Sequence, residues 1–197
     1  MAGNGARRHA ELAQRGMTPH YALAAATEDR VAVYSNLDDA RSDMVRSMLQ
    51  WWLANCGEDI PDRSDLDPAD LKPLLPNILI SDVEHDPFRI RYRLVGTRAR
   101  EATGFNIVGR YLDELLPTDP DEPWMDDYRL AYRTRRPVLG VSSVKTTSGE
   151  IFTYEYGLFP LRKGGRAIEQ FVAVEDYGDL ISTLLDLIEW RERPAKT

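Results

Sequence analysis

The sequence predicts one α+β domain whose antiparallel sheet is interrupted midway by helices. Three observations predict it. Strand-like segments at 77–84 and 90–96 are separated only by His85-Asp86-Pro87; helical signals then run from Thr97 to Arg135; three further strand-like segments follow at 138–145, 151–161 and 167–174. With 197 residues, 43% of them hydrophobic, the chain can bury one sizeable core but would be cramped as two domains.

Each element follows from local chemistry. Residues 1–34 are rich in Ala and Arg without a sustained period, which suggests a loose or marginally helical extension. The domain is expected over 35–176, with a terminal helix and tail over 177–197. Ser35 or Asn36 can cap a helix, and Asp38 and Asp39 then sit in a first turn where negative charge suits the dipole. Leu37, Ala40, Met44, Val45, Met48, Leu49 and Trp52 recur at three- and four-residue spacing, giving a wide apolar stripe, and Gly57 supplies a left-handed exit. Asp67-Pro68 opens a short helical turn that Pro73 and Pro76 stop. In the second strand Ile90, Tyr92 and Leu94 alternate with Arg89, Arg91 and Arg93, so the arginines take the wetter face.

Helical signals resume from Thr97 to Thr103, ending at Gly104, and continue in a small turn around Tyr111 to Leu115. A longer segment runs from Asp121 to Arg135, with Pro123 near its first turn, Pro137 just beyond its end, and Trp124, Tyr128, Ala131 and Arg135 on one side. Ser148-Gly149 and Lys163-Gly164-Gly165 are turns short enough to pair the last three strands antiparallel. Asp179 can cap a final helix in which Leu180, Ile181, Leu184, Leu185, Leu187 and Ile188 crowd together. At about a dozen residues that helix is too short to be stable alone in water, so it must pack on its own domain or on a partner chain.

Charge and composition exclude several classes. Lys+Arg 25 against Asp+Glu 32 gives a net charge of -7, a field that repels phosphate backbones, so nucleic acid is not an expected partner. The one cysteine cannot form an internal disulfide, which fits a reducing cytoplasm. No apolar run approaches the roughly 20 residues that span a bilayer, and residues 1–16 lack the apolar stretch of a secretory signal. A cytoplasmic protein without a membrane partner is the expectation.

Specific residues go further. Leu66-Asp67-Pro68-Ala69-Asp70-Leu71, Leu74-Leu75-Pro76-Asn77 and Arg91-Tyr92-Arg93-Leu94-Val95-Gly96-Thr97 occur in that order, followed by Gly104, Val108-Gly109-Arg110 and Phe159-Pro160-Leu161. From Leu37 to Val174 this pattern resembles a bacterial PAS-like domain family, of the type best known from alphaproteobacteria. The resemblance implies five antiparallel strands in the order 2-1-5-4-3, curved around short helices on one face, with N- and C-terminal helices added. It also implies a cavity between those helices and the concave face, where ligands sit when there are any.

Reactive groups are poorly placed for the chemistries such a fold can host. A flavin photosensor would need a cysteine on the helix after the second strand, whereas Cys56 ends the first helix and reads as a small, partly buried hydrophobe. Haem would need an axial ligand on the long helix, but His9 and His20 lie in the leading extension and His85 in a hairpin turn. Asp82, Glu84, His85 and Asp86 look like metal ligands, yet strand alternation splits them and a solvated hairpin tip is the simpler reading. Acids at Asp119, Asp121, Glu122, Asp126 and Asp127 suit a helix start and its wet face. No catalytic residue, metal or cofactor is assigned.

The aromatic set is more informative. Tyr92, Trp124, Tyr128, Phe152, Tyr154 and Tyr156 could line a pocket for a small planar or apolar ligand, or make an ordinary core with hydroxyls reaching its edge. Met44, Met48, Trp51 and Trp52 on the first helix, with Ile181, Leu184 and Ile188 on the last, either cover the domain's own sheet or form an interface. A domain without an attached effector passes its message to another chain, which favours a homodimer or a separate signalling protein. The leading expectation is a sensory or regulatory module that binds a small ligand or a protein and relays the event through its terminal helices. The alternatives are a structural interaction domain with a filled interior, and a cone-shaped α+β enzyme that would need a buried acid; Glu155 is the nearest carboxylate, but alternation points it away from Tyr154 and Tyr156.

Overall fold

The computed structural model describes residues 40–103, 106–115, 123–145 and 151–178, with side chains at all of these but 103, 123–124, 143–145 and 151–153. Helix α1, Asp43–Asn55, starts later than the candidate caps Ser35 and Asn36 suggest. The true cap is Ser42, whose Oγ accepts from the amides of Met44 and Val45. The reason is tertiary: the amides of Arg41 and Ser42 donate to the Glu155 carboxylate, tying the residues before the helix to β4. The apolar stripe behaves as its spacing predicts, with Val45, Met48, Leu49 and Trp52 fully buried.

Turns from Asp67 onward are opened by the Asp67 side chain accepting from Ala69, and they lead into a short 3-10 helix, Leu75–Asn77, that includes Pro76 rather than stopping before it. Five strands follow the helix-interrupted order: β1 Ile78–His85, β2 Phe88–Val95, β3 Val138–Lys145, β4 Ile151–Arg162 and β5 Ile168–Asp176. Between β2 and β3 come α2 Thr97–Thr103, α3 Leu112–Leu115 and α4 Pro123–Thr134. The strands pair antiparallel in the order β2-β1-β5-β4-β3, the arrangement the resemblance implies. The Ser148-Gly149 turn and the whole terminal helix, with Ile181, Leu184 and Ile188, fall outside the described residues.

Register decides which side chains share a face. In β1–β2 the pairing slips between Ile80 and Ser81, so that Ile80 faces Leu94 while Ser81 faces Tyr92. That bulge at Arg93 corrects the simple alternation: Ile90 and Tyr92 keep to the buried inner face, Leu94 is sent to the other side and stays 40% exposed, and Val95 turns inward in its place. Gly96 then leaves the sheet where a Cβ would lie 2.3 Å from the Pro76 carbonyl oxygen, so only glycine fits.

Helix α1 covers the outer face over β4 and β5, and the indole Nε1 of Trp52 donates to the Pro160 carbonyl at 2.9 Å. Helix α4 lies against the inner face, its Tyr128 ring meeting Phe171 edge-on at 5.1 Å. The sheet is therefore lined by helices on both sides, and α1 does not join the others.

Candidate functional site

Strand pairing alone assembles the inner face at the end of β3, β4 and β5. Gly140, Tyr156 and Glu175 share one rung; one rung further, Ser142 faces Tyr154, and Tyr177 follows β5 beside them, its ring 5.2 Å from that of Tyr154. Gly140 is required here because a Cβ would lie 2.5 Å from the Tyr156 hydroxyl. The Tyr156 hydroxyl donates to Asp127 of α4 at 2.5 Å, and both residues are buried. Of the adjacent acids treated as a wet helix face, Asp126 is exposed and bound to Arg129, whereas Asp127 belongs to the interior.

Tyr92 and Tyr128 meet on the β1–β2 side of the same face, hydrogen-bonded to one another, with Ser81 also bonded to Tyr128. Burial raises the pKa of both phenols, and the nearby Glu175 adds to the effect. The two hydroxyls stay neutral and act as hydrogen-bonding groups.

Glu175 is the unexpected member. Its main-chain carbonyl is fixed by the buried Asn77 amide at 2.7 Å, and its carboxylate accepts from the Tyr177 hydroxyl. Desolvation pushes its pKa up to about 7, against which the Tyr177 bond lowers it. No basic group among the described residues is paired with it. The Ser142 hydroxyl, also buried, has no hydrogen-bond partner among the described residues.

The structure thus brings together four of the six predicted ligand-lining residues, Tyr92, Tyr128, Tyr154 and Tyr156, all buried. Trp124 and Phe152 lie in α4 and β4, with side chains outside the described set. Glu175, Asp127 and Ser142 were not anticipated. A signal existed for Glu175: it continues the inward alternation Phe171, Ala173, Glu175, and it is not Glu155, which points outward to α1 as expected.

The hairpin-tip group disperses into pairs that explain it without a metal. Asp82 accepts from Gln170, Glu84 from the Tyr111 hydroxyl, and His85 bonds to Tyr132. No cluster of three or more His, Cys, Asp or Glu among the described residues could hold a metal ion. Cys56 caps the end of α1, its thiol turned to the Leu53 carbonyl. Of the first-helix interface candidates, Met48 and Trp52 are buried in the chain's own core, which leaves Met44 and Trp51, each half-buried, with surface to offer another chain.

A family model described as "PAS domain" matches residues 40–173. The chain belongs to the PAS domain family. This PAS domain has no match among curated proteins. Solved structures similar to it include a light-oxygen-voltage domain studied with a flavin analogue, at 18% identity and a TM-score of 0.43, covering 63% of this chain and 94% of that one. The light-state structure of the blue-light photoreceptor Aureochrome1 LOV matches at 18% identity and a TM-score of 0.40, over 60% of this chain and 95% of that one. An RNA-binding light-oxygen-voltage receptor matches at 18% identity and a TM-score of 0.41, over 68% of this chain but 41% of its own length. PAS domains serve generally in sensing and signalling. No described helix of this one is long and apolar enough to cross a membrane.

Proposed function

We propose that this PAS domain is a cytoplasmic sensory or regulatory module that binds a small molecule against its inner face and relays occupancy through its terminal helices to a second chain. The observation that carries the reading is a polar set, Tyr92, Tyr128, Tyr154, Tyr156, Ser142 and Glu175, held where an ordinary core would be apolar. A half-buried carboxyl without a cation and a buried hydroxyl without a partner among the described residues both lower stability, and a ligand that satisfied them would offset that loss. The reading assigns binding and no catalytic step.

The route outward is built into the same rungs. Tyr156 and Glu175 point inward, while their chain neighbours Glu155 and Asp176 point outward and hold the start of α1, Glu155 through the amides of Arg41 and Ser42 and Asp176 through the Ser42 hydroxyl at 2.6 Å. A ligand that shifts β4 against β5 moves the anchor of α1 with it. Met44 and Trp51 on α1, together with Ile181, Leu184 and Ile188, are the proposed contacts for a second copy or a separate signalling protein.

A second reading, an interaction domain whose interior is filled by its own side chains, draws on the Tyr156–Asp127 bond, which is satisfied within the chain. Native mass spectrometry of the purified chain separates the two. A non-covalent adduct that disappears on denaturation is the expected result, and identical native and denatured masses would support the filled interior.

A further inference from the structure

Among the described residues the inner face carries two acids and no base. Asp127 enters it from α4, bound to Tyr156, and Glu175 from β5, bound to Tyr177. The groups facing Glu175 from the other elements are Tyr92 on β2, Tyr128 on α4 and Tyr156 on β4, with Tyr177 beside it; among the described residues none is cationic. Such a field disfavours a carboxylate or phosphate ligand and favours a positive one. Phenol rings strengthen that preference, since their faces attract cations, most strongly where water is excluded.

A second anchor lies across β4. Ser142 on β3 is inward, buried and without a hydrogen-bond partner among the described residues, and it pairs with Tyr154 on the rung next to that of Glu175. Strands β3 and β5 flank β4, so their backbones are about 10 Å apart, a gap that the two side chains reduce to a few bonds of ligand. Glu175 supplies a charged acceptor and Ser142 a hydroxyl able to donate or accept.

Resting on the ligand-binding reading above, we propose that these two rungs bind a small primary amine carrying a second hydrogen-bonding group, its ammonium against Glu175 among the phenol rings and its second group on Ser142. Discrimination comes from charge and not from shape: a neutral molecule of the same size leaves the carboxylate uncompensated, and an anion is repelled by both acids.

The test uses the full chain and three matched probes: ethanolamine, ethylene glycol and glycolate, followed by thermal shift and calorimetry. Ethanolamine is expected to raise Tm where the diol and the hydroxy acid do not, and to bind more weakly as pH falls through about 7 and Glu175 takes up a proton. Glu175→Gln should abolish the preference for the amine. Ser142→Ala should weaken ethanolamine about tenfold, the worth of one hydrogen bond, while leaving the unliganded Tm unchanged or higher because an unpaired buried hydroxyl has gone. This second variant keeps the test decisive if Glu175→Gln folds poorly. Equal shifts by ethanolamine and the diol, a preference for glycolate, or no shift with any probe would overturn the amine assignment. A co-purified adduct of another chemical class would overturn it while leaving the ligand-binding reading standing, whereas loss of both the adduct and the ethanolamine response would remove both.

Discussion

The two faces of the sheet are built from the same strands on opposite principles. Outward, Ile78, Phe159, Leu161, Val172 and Val174 are fully buried or nearly so, and helix α1 lays its apolar stripe over them. Inward, Leu158, Phe171 and Ala173 are buried as well, but the end of that face on β3, β4 and β5 holds Ser142, Tyr154, Tyr156 and Glu175. The outer face gains stability from apolar area and keeps its acids, Glu155 and Asp176, paired at one end of β4 and β5, where they hold the start of α1. The inner face gives up part of that gain for hydrogen-bonding groups, the feature on which the proposed ligand site rests.

The comparison can be broken most severely from the outer side. Trp52→Ala removes the largest fully buried side chain among the described residues and its bond to Pro160, and should cost about 3–5 kcal/mol in urea unfolding. A loss below about 1 kcal/mol would mean that α1 contributes little to the fold and is free to detach.

The inner face should announce itself through pH. Glu175 has a folded pKa of about 7, above its ordinary 4.5, so the folded state binds the proton more tightly. Its contribution is therefore most favourable at low pH and declines as pH rises from about 4.5 to about 7, by an amount on the order of 3 kcal/mol. Glu175→Gln should flatten that decline and stabilise the chain at alkaline pH; parallel profiles for both proteins would place the carboxyl in water.

The junction between the faces gives the smallest effect. Ser42→Ala removes the α1 cap and the bond to Asp176, with an expected loss of about 1 kcal/mol. Hydrogen exchange should localise the change to the first turn of α1 and the end of β5. Exchange confined to α1 would show that the cap acts locally and that the two elements are not coupled.

Much of this molecule was legible in the sequence because its signals are local. The spacing of Val45, Met48, Leu49 and Trp52 is enough to place the buried stripe of α1, and alternation along 138–145 and 151–161 is enough to give β3 and β4 to within a residue. Three inward tyrosines, Tyr92, Tyr154 and Tyr156, follow from the same period, and Tyr128 from the helical one. What alternation could not supply was phase and partner. The bulge at Arg93 turns Leu94 outward, and a slip of one residue is a property of two strands in register, which neither strand records alone.

The start of α1 and the identity of the buried acid failed for the same reason. Ser42 caps α1, and the partner that holds it there, Glu155, lies more than a hundred residues away where local composition cannot reveal it. Asp127 looks like any acid on a wet helix until Tyr156 reaches it across Gly140. The sequence by itself determined which segments are helix or strand and which residues are greasy, because those depend on neighbours along the chain. Only the tertiary structure decided which polar groups are shut inside, because desolvation and hydrogen bonding depend on neighbours in space.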